Sequence, residues 1–318
     1  MRPTGPLHLG NLAGALRNWL RLQDEYNCYY TIVTWHALSS EYQESRSIKE
    51  NAFEVAVDWL SIGLDPKKSV LFIQSEVKEH AELHLLLSMI TPLPWLERVP
   101  TFKEIQREMN DRDLNTYGFL GYPVLQTADI LIYKAEIVPV GEDQAPHLEL
   151  AREICRRFNR YFGEVFPEPQ ILLTETPRIA GTDGRKMSKS FGNAIYLKDP
   201  PEVIKEKIAT MMTDTRRKRR HDPGVPEDCP VFTLHRAFVN QAKREELAAA
   251  CRVAGIGCLE CKQVLIESLF QLLKPYWQKR KFFESHPSEV WDIFAAGNRR
   301  AREKAAQTMN EVREAIGF

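Results

Sequence analysis

Thr4-Gly5-Pro6-Leu7-His8-Leu9-Gly10-Asn11 opens this chain, and Gly181-Thr182-Asp183-Gly184-Arg185-Lys186-Met187-Ser188-Lys189-Ser190 lies past its middle. The first stretch sets Gly5 and Gly10 around a histidine, immediately before a helical pattern. Glycines let the backbone approach a ligand closely, and a helix N-terminus favours phosphate. An imidazole placed there can donate to a phosphate oxygen as charge develops. Alone, the string His8-Leu9-Gly10-Asn11 also fits a turn with a surface histidine. The second stretch is a glycine-bearing loop with two lysines three apart. It is not a Walker A loop, since no G-x-x-x-x-G-K-[ST] fits. Lysines on a flexible loop suit a moving polyphosphate, because their point charges can follow it into the transition state. Alone, such a loop also reads as an exposed basic segment.

Outward from the opening motif, strand-like and helix-like stretches alternate. Leu12, Leu16, Trp19 and Leu20 mark one face of a helix. Residues 28–34 are rich in Tyr, Ile and Val and predict a strand. Ile48, Ala52, Val55, Ala56 and Trp59 mark a second helix, stopped at Gly63 with Pro66 beyond. Residues 69–73 predict a buried strand and residues 79–90 a helix. This alternation implies an α/β fold with a parallel sheet flanked by helices. From about Pro200 strand signals fade. Residues 204–212, 241–251, 264–276 and 301–316 are candidate helices, so an all-helical region is expected to follow the α/β region at about residue 195.

The 318 residues are enough for about two domains. The 43 basic residues balance the 43 acidic ones, so a nucleic-acid partner has to be sought in local patches. No apolar run is long enough for a transmembrane helix and no secretory signal precedes the first motif, so a cytoplasmic protein without membrane contact is expected. The run Arg216-Arg217-Lys218-Arg219-Arg220-His221 is one such basic patch. It reads equally as a solvated face or as a phosphate-contacting one.

Two segments between the motifs carry polar side chains in telling places. In Tyr122-Pro123-Val124-Leu125-Gln126-Thr127-Ala128-Asp129, Pro123 suits a first helical turn, and Tyr122, Gln126 and Asp129 share one helix face. Such a face is either solvated or built to hold a polar ligand. Ile137-Val138-Pro139-Val140-Gly141-Glu142-Asp143-Gln144 reads as a strand running into a turn and a helix, and in open α/β folds ligands sit at the carboxyl ends of strands. Further on, Cys229, Cys251, Cys258 and Cys261 follow a C-x21-C-x6-C-x2-C pattern. Four thiolates at such spacings suit zinc or an iron–sulfur cluster, zinc being the commoner metal.

Together and in this order, the histidine motif and Lys186-Met187-Ser188-Lys189-Ser190 resemble the two nucleotide-binding signatures of the class I aminoacyl-tRNA synthetases. The intervening Gly141-Glu142-Asp143-Gln144 is similar to the tryptophanyl branch. The resemblance implies a Rossmann-like catalytic domain over residues 1–195, with a helical insertion, and a helical anticodon-binding domain over residues 196–318. It implies activation of L-tryptophan with ATP to tryptophanyl-adenylate and transfer to tRNA(Trp). Mg²⁺ would accompany ATP and the enzyme would be a homodimer. By the same resemblance His8, Lys186 and Lys189 are catalytic. Arg2, Pro3, Thr4, Gly10, Asn11, Gly141, Glu142, Asp143, Ile179, Met187, Ser188 and Ser190 join the lysines around ATP. Tyr122, Gln126, Asp129, Val140 and Gln144 hold tryptophan, Asp129 taking the indole N–H, which is a donor only. Bacterial members with a [4Fe–4S] cluster on a near-identical cysteine pattern favour iron–sulfur over zinc at the four cysteines. Two departures stand out. The family has a strand ahead of the opening motif, whereas Met1 here is two residues before Pro3, as if the start had been assigned too far downstream. Thr34 stands where relatives carry an acidic residue, which puts the role of that position in doubt.

Overall fold

The computed structural model describes residues 1–99, 115–174 and 177–318. The helix after the opening motif, α1 (residues 9–22), begins as Leu9–Asn11, loosens into a π-type turn over Leu12–Leu16 and ends as Arg17–Leu22. Strand β1 (Cys28–Ile32) runs parallel to β2 (Ser69–Ile73), in register from Cys28 opposite Ser69 to Ile32 opposite Ile73. Parallel pairing needs a crossover, and α2 (Thr34–Glu41) and α3 (Ser47–Ile62) supply it. Gly63 ends α3 in the left-handed conformation, φ 112°, where a side chain would be strained. β1 is two residues shorter than its composition suggests because Thr34 already starts α2, and its Oγ1 accepts the Ser75 amide at 3.2 Å. This bond ties the exits of β1 and β2 together, and is what Thr34 does in place of an acid. β2 is buried at every position, as an apolar run flanked on both faces should be.

Next come α4 (Glu79–Ile90), α5 (Leu93–Glu97), α6 (Tyr117–Leu120) and α7 (Tyr122–Leu131). A second parallel pair follows, β3 (Ile137–Val140) with β4 (Gln170–Leu173), joined by α8 (Ala145–Phe162). From α9 (Pro201–Thr210) onward the regular elements among the described residues are all helices: α10 (Pro230–Phe238), α11 (Gln241–Arg252), α12 (Cys258–Ser285) and α13 (Pro287–Ile316). The sequence pattern marks only the middle of α12 and the end of α13. α12 contains Pro275 and runs on past the expected end at Tyr276, because Leu265, Leu269, Leu273, Tyr276 and Arg280 keep one continuous buried face.

The helical half packs directly on the α/β half. A Cβ at Gly297 of α13 would lie 1.8 Å from the Leu71 carbonyl oxygen of β2, so only glycine permits this approach. Beside it, Asn298 Oδ1 accepts the Ile73 amide at 2.8 Å, satisfying a strand-edge donor. One apolar core accordingly runs from Leu7, Leu16 and Trp59 through Leu269 to Phe294. Among the described residues no helix is long and apolar enough to cross a membrane.

Candidate active site

The two phosphate-type motifs meet although 184 positions separate their contacting residues. The Lys189 ammonium donates to the Gly5 carbonyl at 2.7 Å. The backbones alongside are paired too: His8 bridges Tyr196, Leu9 N–H donates to Ile195 at 3.0 Å and Leu197 N–H to Leu7 at 2.8 Å. His8 caps α1. Its Nδ1 accepts the Gly10 amide at 3.1 Å, while its own amide donates to Asn11 Oδ1 at 3.0 Å. An Nδ1 that accepts leaves the proton on Nε2, so the imidazole presents Nε2–H outward. A Cβ at Gly10 would sit 2.9 Å from the ring, which is why glycine stands there. Burial, then Lys189 and Lys186, lower His8 to about 4, so it is a neutral donor at physiological pH. Burial lowers Lys189 to about 8, with Asp58 opposing and Arg2 assisting that shift.

The lysine loop is organised by Asn193, a residue with no signal in the motif itself. Its Oδ1 accepts the Ser188 amide at 2.9 Å, and its Nδ2 donates to Asp183 at 2.7 Å and to the Lys186 carbonyl at 3.1 Å. Lys186 and Ser190 are exposed, Ser188 is half-buried and Met187 is buried. Ile179 is also buried, and its carbonyl accepts the Met187 amide at 2.8 Å. Pro3 is buried, Thr4 half-buried, and Arg2 donates to Ser40 Oγ at 3.2 Å.

At the carboxyl ends of β1 and β2 sits a second polar centre. Asp129 of α7 receives Gln74 Nε2 on both oxygens, at 2.7 and 2.8 Å. His80 Nδ1 reaches Oδ1 at 2.6 Å and His36 Nε2 reaches Oδ2 at 3.1 Å. His80 is held in turn by the Tyr133 hydroxyl at 2.7 Å. Burial would raise the Asp129 carboxyl, but the hydrogen bonds from His36 and His80 dominate and hold it well below the usual carboxylate range. Tyr122 shares the α7 face: its hydroxyl is 2.7 Å from His147 Nε2 and its ring meets His36 edge-on at 6.2 Å. Burial lowers His147 to about 4. Gln126 lies half-buried on that face. After half-buried Val140 the chain turns through buried Gly141 into exposed Glu142 and Asp143, and Gln144 donates to Asp143 at 3.3 Å. The sequence marks Tyr122, Gln126 and Asp129. It gives no warning of His36, His80 or His147, and of Gln74 only that a polar residue directly follows a buried strand.

The expected metal site is not formed. Cys229, Cys251, Cys258 and Cys261 are free cysteines, and among the described residues no group of three or more His, Cys, Asp or Glu side chains could hold a metal ion. The [4Fe–4S] and Zn²⁺ expectations both fall with it, and Mg²⁺ likewise has no preformed protein cage among those residues. The sulfurs have other neighbours: Cys261 Sγ is 3.2 Å from His235 Nε2, and Arg217 donates to Cys251 Sγ at 3.8 Å. Burial, assisted by the other three sulfurs, pushes Cys261 up to about 12. Part of the basic run is also structural. Arg216 pairs with Asp214 and Asp228, buried Arg217 donates to the Arg220 carbonyl, and Arg220 pairs with Glu260, leaving the Lys218 and Arg219 side chains exposed.

A parallel α/β unit with a capped histidine at a helix start, and a lysine loop folded onto it, defines a nucleotide-handling enzyme that works on phosphate. Comparison with known proteins narrows this. The family described as "tRNA synthetases class I (W and Y)" matches residues 1–274, and the chain belongs to it. Tryptophan–tRNA ligase of Thermotoga maritima is 52% identical over 320 residues, which is 100% of this chain and 98% of that protein. The Aquifex aeolicus tryptophan–tRNA ligase is 44% identical, again over 100% of this chain and 98% of that one. Among solved structures, tryptophanyl-tRNA synthetase from Campylobacter jejuni complexed with ADP and tryptophan superposes with a TM-score of 0.89 at 34% identity, covering 100% and 98% of the two chains.

Proposed function

We propose that the chain carries out the family reaction as a tryptophan–tRNA ligase, with the two polar centres dividing the work. L-Tryptophan and ATP react first. The amino-acid carboxylate attacks the α-phosphate in line, giving tryptophanyl-adenylate and pyrophosphate. The terminal ribose hydroxyl of tRNA(Trp) then attacks the adenylate and takes the tryptophanyl group. Positioning and charge stabilisation supply the catalysis, so no side-chain nucleophile is needed.

In this reading His8 donates from Nε2–H to a phosphate oxygen. Lys189 and exposed Lys186 follow the departing pyrophosphate, with Met187, Ser188, Ser190 and Ile179 shaping the loop. Arg2, Pro3, Thr4, Gly10 and Asn11 border the nucleotide from the opening segment, and Gly141, Glu142 and Asp143 border its ribose. Asp129 accepts the indole N–H. Both of its oxygens already hold donors, and His36 at 3.1 Å is the longest of these and the one a ligand donor can replace. Tyr122 and Gln144 take the ammonium group, with Gln126 and Val140 beside them. Residues 1–195 form the catalytic domain and residues 196–318 the tRNA-binding one, where Lys218 and Arg219 offer phosphate contacts. A homodimer in the cytoplasm completes the reading. Leu85 and Met89, one turn apart on α4, together with Leu93 and Tyr117, are exposed by 54%, 71%, 59% and 66% and suit a second copy.

The observation that carries the reading is the bond from Lys189 to Gly5, which brings both phosphate motifs to His8. ATP–pyrophosphate exchange tests it. Exchange should require tryptophan; exchange supported equally by tyrosine, or none at all, would reject it.

A further inference from the structure

The opening motif is gripped from behind by a charged side chain that has no role in the scheme above. Asp58 of α3 has no solvent exposure. Its Oδ2 accepts the Leu7 amide at 2.9 Å. Its Oδ1 accepts the Tyr276 hydroxyl at 2.5 Å and the Arg280 guanidinium, both from α12. Arg280, 4% exposed, continues to Glu54 at 2.7 Å and to Glu284 at 2.8 Å. Apolar side chains of similar volume often stabilise such a place as well as a buried ion pair does. What this pair adds is geometry, because every contact has a fixed direction.

That geometry is aimed at the nucleotide motifs. Leu7 immediately precedes His8, and the Gly5 carbonyl that docks Lys189 is two residues before Leu7. The strand opposite, which leaves the lysine loop, is held by the same helix face: Trp277 Nε1 donates to the Leu197 carbonyl at 3.0 Å. One face of α12 therefore fixes residues 7–9 through Asp58 and residues 195–197 directly.

We propose that Asp58 is a positioning residue for amino-acid activation: clamped by Tyr276 and Arg280, it sets the Leu7 amide, and with it the seat of His8 and the Gly5 carbonyl that holds Lys189. The proposal rests on the activation chemistry given above. Asp58 also acts as a charge. Burial is the largest effect and raises its carboxyl overall, while Arg280, Tyr276 and the Leu7 amide oppose that rise by favouring the charged form. All three recorded partners are donors and one is a permanent cation, so the site stabilises the carboxylate. Around Lys189 stand Asp58 of α3 and Arg2 and His8 of the opening segment, while Lys186 of its own loop acts on His8 alongside it. Of these, Asp58 supplies the negative charge that favours the ammonium.

The test compares the full-length enzyme with Asp58→Asn and Tyr276→Phe. Tryptophan-dependent exchange by the unmodified enzyme comes first, and its failure would count against the activity rather than against the role of Asp58. With that in hand, Asp58→Asn should lower kcat for exchange about tenfold or more, as misplacement of reacting groups does. The dissociation constant for tryptophan should stay within about twofold. The alkaline decline of kcat/KM for ATP, set by Lys189 near 8 in the free enzyme, should move to lower pH, a change that a merely structural role would not produce. Tyr276→Phe keeps the charge and loosens the carboxylate, so kcat should fall with the alkaline limb in place. A folded Asp58→Asn enzyme with unchanged kcat and limb overturns the proposal, as does an equal loss of kcat and tryptophan affinity. If Asp58→Asn does not fold, Tyr276→Phe decides: a folded variant with the unmodified enzyme's kcat overturns it.

Discussion

Replacing Gln74 by glutamate should place a new titrating group against Asp129. Gln74 is fully buried, donates from Nε2 to both Asp129 oxygens at 2.7 and 2.8 Å, and accepts the Trp35 amide on Oε1 at 2.9 Å. Glutamate keeps the shape and the acceptor for Trp35, but sets a second carboxyl oxygen against Asp129. Two negative charges about 4 Å apart repel by about 4 kcal/mol at an effective dielectric constant of about 20. That corresponds to about 3 pH units. Asp129 is held well below the usual carboxylate range, so the introduced carboxyl takes the shift, from about 4.3 to about 7. Its folded-state pKa is raised above the unfolded one, so the folded protein keeps a proton that the unfolded chain has lost. Stability relative to the unmodified protein is therefore near normal below about pH 4. It falls by about 1.4 kcal/mol per unit up to about pH 7 and levels off near 4 kcal/mol. Urea unfolding of both proteins between pH 4.5 and 8 measures the difference. A difference that does not change with pH would refute the close Gln74–Asp129 contact, or the ionised state of Asp129, on which the reasoning stands.

Other consequences follow from the same geometry. Exchange by the unmodified enzyme should decline as pH rises through about 8, where burial has placed the Lys189 ammonium; Lys189→Arg should remove that limb, and Lys189→Ala should cut kcat far more than tryptophan affinity. His8, lowered to about 4, should leave kcat without an acid limb between about pH 5.5 and 7, and His8→Ala should cost about a hundredfold in kcat as a lost transition-state donor. Gly297→Ala should destabilise by about 1–3 kcal/mol or more, because a Cβ 1.8 Å from the Leu71 carbonyl cannot be accommodated without lifting α13; an unchanged urea midpoint would contradict that packing.

How much of this was legible differs by element, for physical reasons. β2 was readable to the residue because a short apolar run buried on both faces has sharp polar boundaries. α12 was cut short at Tyr276 because polar residues 278–281 follow it, although a buried face continues to Arg280. The motif residues were recognisable as strings, but the groups that seat them were not. Gln74, His36 and His80 reach Asp129 from different elements, and nothing along the chain announces their convergence. One signal was available: a polar residue directly after a buried parallel strand, as Gln74 follows Ile73, sits where such folds bind ligands. The cysteines show the reverse case. Close spacing along the chain made them look like a ligand set, but Cys261 meets His235, Cys251 meets Arg217, and among the described residues no group that could hold a metal is formed.

The chemistry assigned to this chain relies on placement rather than on a reactive side chain, so whatever fixes placement shares in the catalysis. The residues proposed to face the phosphates come from two loops, and loops alone position poorly. Here each loop continues into a short paired segment, residues 7–9 against 195–197, and the pair is bonded to the face of a 28-residue helix through Asp58, Tyr276, Trp277 and Arg280. The next helix, α13, seals the edge of β2 through Gly297 and Asn298, and β2 is followed directly by the glutamine that orients Asp129. The helical half thus fixes both polar centres at once, the phosphate side through α12 and the amino-acid side through α13. A chain cut at residue 195 would retain every motif proposed to contact ATP and tryptophan, yet lose the frame that sets their separation.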